Sequence, residues 1–182
     1  MKKGDCFLCP GEKASTLYYI TSAKGKKCWA LRIYYGPEQV QALNFDKQYD
    51  KELPDDIICL RSDTYKKLRE LITSYVDKMH SFLCENAMKQ KQELRINHSY
   101  VYRGYIYTLR EFNDGKWCYD LFRIEPENVC SKWTGCGSID LDCSIYPISD
   151  ENVKKVKIML EKLQKESFEL IYRNKKQIFT EK

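Results

Sequence analysis

Gly25-Lys26-Lys27-Cys28-Trp29-Ala30-Leu31 is echoed, about 90 residues further on, by Gly115-Lys116-Trp117-Cys118-Tyr119-Asp120-Leu121. Two more echoes keep the same order and nearly the same offset. Pro37-Glu38-Gln39-Val40 returns as Pro126-Glu127-Asn128-Val129, and Ser62-Asp63 before Tyr65-Lys66-Lys67-Leu68 returns as Ser149-Asp150 before Val153-Lys154-Lys155-Val156. Internal repetition is a fold-level signal that residue-by-residue pattern reading misses. It predicts an α+β chain of two tandem units, 1–92 and 93–182. Each is expected to be a small antiparallel β-meander, or an SH3-like partly open barrel, followed by one long amphipathic helix.

Working outward from the first echo, Asp5 to Cys9 reads as a short strand stopped by Pro10-Gly11. Thr16 to Thr21 and Lys27 to Tyr35 are rich in aromatic and β-branched residues, and Ala23-Lys24-Gly25-Lys26 between them reads as a hairpin turn. Val40 to Phe45 and Asp56 to Leu60 complete the first sheet. In the second unit Tyr100 to Leu109 and Lys116 to Ile124 are expected strands joined across Asn113-Asp114-Gly115. Cys130 to Gly137 reads as an irregular stretch, and Ile139 to Tyr146 as a further strand.

The helices have the clearest local pattern. Tyr65, Leu68, Leu71, Ile72, Tyr75, Val76, Met79, Leu83 and Ala87 mark one helical face from Asp63 to about Lys89, and the polar tail Met88 to Arg95 is expected to link the units. Ser149-Asp150 caps a closing helix with Val153, Val156, Met159, Leu160, Leu163, Phe168 and Ile171 on its apolar face.

The chain has 182 residues, 43% hydrophobic and 31% charged, an ordinary globular balance that implies neither disorder nor a membrane span. No signal-peptide pattern opens it, so the reading is a cytoplasmic protein whose nine cysteines serve as reduced thiols. A net charge of +5 leans only slightly toward acidic partners, because Lys24, Lys26 and Lys27 lie far in sequence from Arg173, Lys175 and Lys176.

Cys6-Phe7-Leu8-Cys9 has C-x-x-C spacing, and His80 and Cys84 stand one helical turn apart. Two plus two such ligands suit tetrahedral zinc, so a zinc-stabilised module built on Cys6, Cys9, His80 and Cys84 is one candidate reading. Against it, Cys6 and Cys9 point to opposite faces of an extended strand, and otherwise no cofactor is implied. Catalytic constellations are missing: His80 and His98 are the only imidazoles and neither sits in a nucleophile-and-base motif.

Fourteen tyrosines and three tryptophans are the remaining signal. Tyr18, Tyr34, Tyr102, Tyr107 and Tyr119 fall on expected strands and could stack on a partner. The leading function is a non-enzymatic binding or adaptor protein whose two units present a joint aromatic surface to a protein partner. The alternative is a nucleic-acid-binding or RNA-cleaving small barrel using Lys24, Lys26, Lys27, Arg32, Tyr34, Lys116, Tyr119 and Arg123 around the two hairpins. Lys3-Gly4-Asp5-Cys6-Phe7 resembles the first strand of the SH3-like barrels of the PemK/MazF toxin endoribonucleases; the resemblance covers about five residues and carries over no catalytic residue.

Overall fold

A computed structural model describes residues 1–25, 27–49, 57–89, 93–137 and 145–175. Runs of alternating apolar and polar residues form strands β1 (Cys6–Cys9), β2 (Ser15–Lys24), β3 (Lys27–Gly36), β4 (Gln39–Tyr49) and β5 (Ile58–Leu60), followed by helix α1 (Thr64–Asn86). The chain continues with β6 (Ser99–Tyr102), β7 (Tyr105–Asn113), β8 (Lys116–Glu125), β9 (Asn128–Gly137), β10 (Tyr146–Ile148) and helix α2 (Asp150–Arg173). No helix among the described residues is long and apolar enough to cross a membrane.

All the strands lie in one open antiparallel sheet, in the order β10-β6-β7-β8-β9-β4-β3-β2-β1-β5. The two expected units are thus joined edge to edge in a single sheet. The middle of the sheet is a short seam in which Gln39 pairs with Cys130 and Val40 with Val129. To either side, the registers shift at comparable places: between Ile20 and Ser22 and between Leu109 and Glu111, then between Ala30 and Arg32 and between Leu121 and Arg123. Such bulges bend a strand and raise its local twist.

Three details depart from expectation. Tyr100 to Leu109 is not one strand, because Arg103 and Gly104 both take positive φ (44° and 79°) and fold it into the β6–β7 hairpin. Positive φ at both central residues is the signature of the two-residue turn that matches strand twist. Cys130 to Gly137 is not irregular but most of β9, since its backbone groups pair with β8 in spite of two glycines. Helix α1 stops at Asn86, before the expected Lys89; the chain leaves extended at Ala87, and Met88 N–H donates to the Pro147 carbonyl at 2.9 Å. The Ile139–Tyr146 strand lies largely outside the described residues, which resume at Ile145.

Both helices pack on one face of the sheet. A single apolar core joins Leu17, Ile33 and Val40 from the first half to Ile106, Ile124 and Val129 from the second, under Leu68, Ile72 and Met79 of α1 and Val156, Leu160 and Leu163 of α2. Each helix reaches across to the far half. The end of α1 meets β10 through Met88, while the end of α2 meets β5, where Arg61 N–H donates to the Asn174 carbonyl at 3.0 Å. Tyr75 of α1 ties the layer together by donating to Glu166 of α2 at 2.6 Å. Ser149 caps α2 as expected, its hydroxyl accepting from the Asn152 N–H.

Candidate binding surface

Period-two alternation sorts the strand residues onto two faces. Leu31, Ile33 and Tyr35, like Phe122 and Ile124, pack toward the helices, so Arg32, Tyr34 and Arg123 turn the other way. On that outer face, small clusters form around Phe7, Ile20 and Ala30 in the first half and around Tyr100 and Leu109 in the second.

Tyrosines and arginines stand in and beside these clusters, Tyr18 packing on the first and Tyr102 and Tyr119 on the second. Tyr102 pairs with Tyr105, Tyr105 with Arg123, Arg123 with Cys130 and Cys130 with Gln39, one continuous row crossing the seam. Tyr107 meets Tyr105 at 6.1 Å and Tyr119 edge-on at 5.0 Å between ring centres. The Arg123 guanidinium lies 5.4 Å from the Tyr105 ring and that of Arg103 5.2 Å from the Tyr102 ring, both within cation–π range. The Tyr105 hydroxyl donates to Glu125, whose carboxylate, with burial second, holds the phenol above its usual pKa. Burial, then the neighbouring Tyr119, raises Tyr107 likewise. The phenols thus stay neutral donors at any ordinary pH.

On the other side of the seam stand Tyr18, Arg32 and Tyr34, with Tyr18 directly opposite Arg32. Tyr34 is three strands from Arg123, about 15 Å at normal strand spacing. A side chain at Gly135 would sit 3.1 Å from the Tyr119 ring, so this glycine leaves that ring its place. The tyrosines were legible from β-strand composition. Tyr105 and Arg103 were missed, although Arg-Gly between two β-rich runs is a turn signal.

The basic hairpins do not join this surface. Lys24 and Lys27 flank the β2–β3 turn and Lys116 the β7–β8 turn, while Lys26 lies outside the described residues. The antiparallel seam sends β3 and β8 away from it in opposite directions, leaving the two tips at opposite ends of the sheet with about 30 Å of strand on either side. Of the residues expected to contact nucleic acid, Arg32, Tyr34, Tyr119 and Arg123 share the outer face, and the lysines stand apart.

The four expected zinc ligands are likewise dispersed. Cys6 is buried in the main core and its neighbour Phe7 in the outer-face cluster, the alternation that also sets Cys9 apart from Cys6. His80 and Cys84 line a different place, a cavity of about 670 Å³ between the end of α1, the β6–β7 turn and β10. Among the described residues no group of three His, Cys, Asp or Glu side chains could hold a metal ion. The cysteines themselves need a correction. Cys118 and Cys136, directly opposite on β8 and β9, form a disulfide with Cα atoms 4.2 Å apart, so the reduced-thiol reading fails for this pair. One argument for a reducing compartment falls with it. Among known protein families, curated proteins and solved structures, none matches the chain.

Proposed function

We propose that this is a binding or adaptor protein, not an enzyme, and that the tyrosine–arginine face of its sheet docks a protein partner. The carrying observation is the row Tyr102-Tyr105-Arg123, flanked by Tyr107 and Tyr119 and lying about 15 Å from Tyr34 across the seam. Tyrosine and arginine dominate the energetics of protein interfaces, because each buries a large area at small entropic cost and keeps a directional polar end. The helices occupy the opposite face, and among the described residues the outer face packs in two small clusters, which Tyr18, Tyr102 and Tyr119 join.

We infer further that residues 1–92 and 93–182 are two copies of one meander-and-helix unit. In support, the strand order runs β5-β1-β2-β3-β4 in the first half and β10-β6-β7-β8-β9 in the second, one bulge recurs at the same offset and the other within two residues of it, and Val40 faces its own counterpart Val129 at the seam. A residue meeting its equivalent is the mark of a two-fold, self-complementary contact. The SH3-like reading of each unit rests on the same order, in which the first strand pairs with both the second and the fifth.

A second reading, single-stranded nucleic acid, has one observation in its favour: tyrosine rings flanked by guanidinium groups also stack on bases. The separated lysines weigh against it. The test is affinity capture from the native host with the native chain and with Tyr105→Ala/Arg123→Ala, each with and without nuclease. A protein retained by the native chain, lost by the variant and indifferent to nuclease supports docking of a protein. Nuclease-sensitive capture, or low-salt binding of a single-stranded RNA oligonucleotide by the isolated chain, transfers the surface to nucleic acid, and capture unchanged in the variant removes it from the function.

A further inference from the structure

The cavity at the end of α1 belongs to neither the core nor the outer face. We propose that it binds an amphipathic carboxylate, a molecule with an apolar body and a single anionic head. Its volume, about 670 Å³, is that of a small-molecule site. Leu83, Ala87, Met88, Val101 and Tyr146 supply apolar wall from three elements, and Arg103 and Lys89 supply positive charge. No carboxylate lines it among the described residues, so the charged groups around it select an anion. The cleft along α2 offers a contrast: Arg110, Lys154 and Lys157 line it together with Asp120, Asp150 and Glu161, and neither sign prevails.

The local backbone is arranged around this cavity. Gly104 has φ +79°, and a Cβ there would fall 2.9 Å from both His80 Nε2 and the Ile124 carbonyl oxygen. The missing side chain lets His80 Nε2 approach that carbonyl to 2.7 Å. A carbonyl can only accept, so Nε2 carries a proton and donates it to Ile124. Arg103, the adjoining turn residue, sits at φ +44°, a region that disfavours any residue with a side chain. Glycine would suit that conformation better, and the arginine brings its guanidinium to the cavity wall as well as over the Tyr102 ring.

The test is titration calorimetry of the full chain with sodium decanoate, with decylammonium chloride as the control of opposite charge. Saturable one-to-one binding of decanoate is expected, at least about tenfold tighter than decylammonium. Arg103→Gly/Lys89→Ala is expected to weaken decanoate at least about tenfold while keeping its melting temperature, since glycine suits that turn. Val101→Trp, which fills the cavity, is expected to abolish binding. Absence of saturable decanoate binding, equal affinity for the ammonium, or undiminished affinity in the charge variant would each overturn the proposal.

Discussion

The two halves of the sheet run through the same order of strands, yet they dress its outer face differently. The half before the seam offers Tyr18, Arg32 and Tyr34, whereas the half after it offers Tyr102, Tyr105, Tyr107, Tyr119 and Arg123, tied together by ring contacts and the Tyr105–Glu125 hydrogen bond. The helices differ in the same way. Where α1 has His80 over Gly104 and Cys84 beside it, α2 has Phe168 and Tyr172 four residues apart and 61% and 65% exposed. Strand pairing asks only for alternation and turn chemistry, which many sequences satisfy. Side chains that differ between equivalent places are therefore where a specific task is to be sought.

The largest expected effects lie at the seam. Val40 and Val129 are each no more than 1% exposed, so Val40→Asp or Val129→Asp buries an unpaired carboxylate and is expected to cost at least about 3 kcal/mol. If the halves are equivalent, the two losses in urea denaturation come out alike. Tolerance of one and collapse of the other would break the equivalence.

Next come the turn glycines, where equivalence is expected to fail. Gly104→Ala meets both an adverse φ and atoms 2.9 Å away, and should cost about 3 kcal/mol. Gly115→Ala meets the adverse φ alone, with nothing within 4 Å, and should cost about 1 kcal/mol. Equal midpoint shifts would contradict the packing assigned to His80.

The disulfide separates the halves by a smaller margin. Removing it with Cys118→Ala/Cys136→Ala is expected to cost about 2–3 kcal/mol without reductant, for a loop closed across 18 residues. With reductant the native chain should fall to the variant's midpoint, and a native midpoint indifferent to reductant would deny the bridge a role. Smallest is the link between helices. Tyr75→Phe loses the bond to Glu166 and is expected to cost about 1–2 kcal/mol. Burial, then Glu166, pushes the Tyr75 pKa up to about 12, above the usual 10. A pKa raised by folding stabilises the protonated phenol, so the contribution is whole below about pH 10 and fades as pH rises toward 12. The midpoints of the native chain and of the Tyr75→Phe variant should converge over that window.

What could be read from sequence is what is local. Gly25 and Asp114-Gly115 have the positive φ that their hairpins need, Ser149 caps α2, and the apolar positions of α1 from Tyr65 to Leu83 are buried, Leu71 only partly. The seam was invisible because two residue pairs joining positions about 90 apart leave no local signature. The same holds for the disulfide, whose partner is fixed by β8–β9 register instead of spacing, and for the cavity, which gathers α1, one turn and β10. Cys130 to Gly137 misled because glycine argues for a loop, while here Gly135 makes way for a tyrosine of the neighbouring strand. Tyrosine content pointed to a surface, but which tyrosines share a face was decided by the bulges.

The most direct test of the proposed docking face is photo-crosslinking in the native host, with p-benzoylphenylalanine placed at Tyr107 or Tyr34 on the outer face, or at Phe168 on the helix layer. Crosslinks to one common protein from positions 107 and 34, absent from 168, are the predicted result. Crosslinks from 168 alone, or equally from all three, would contradict an outer-face binding surface.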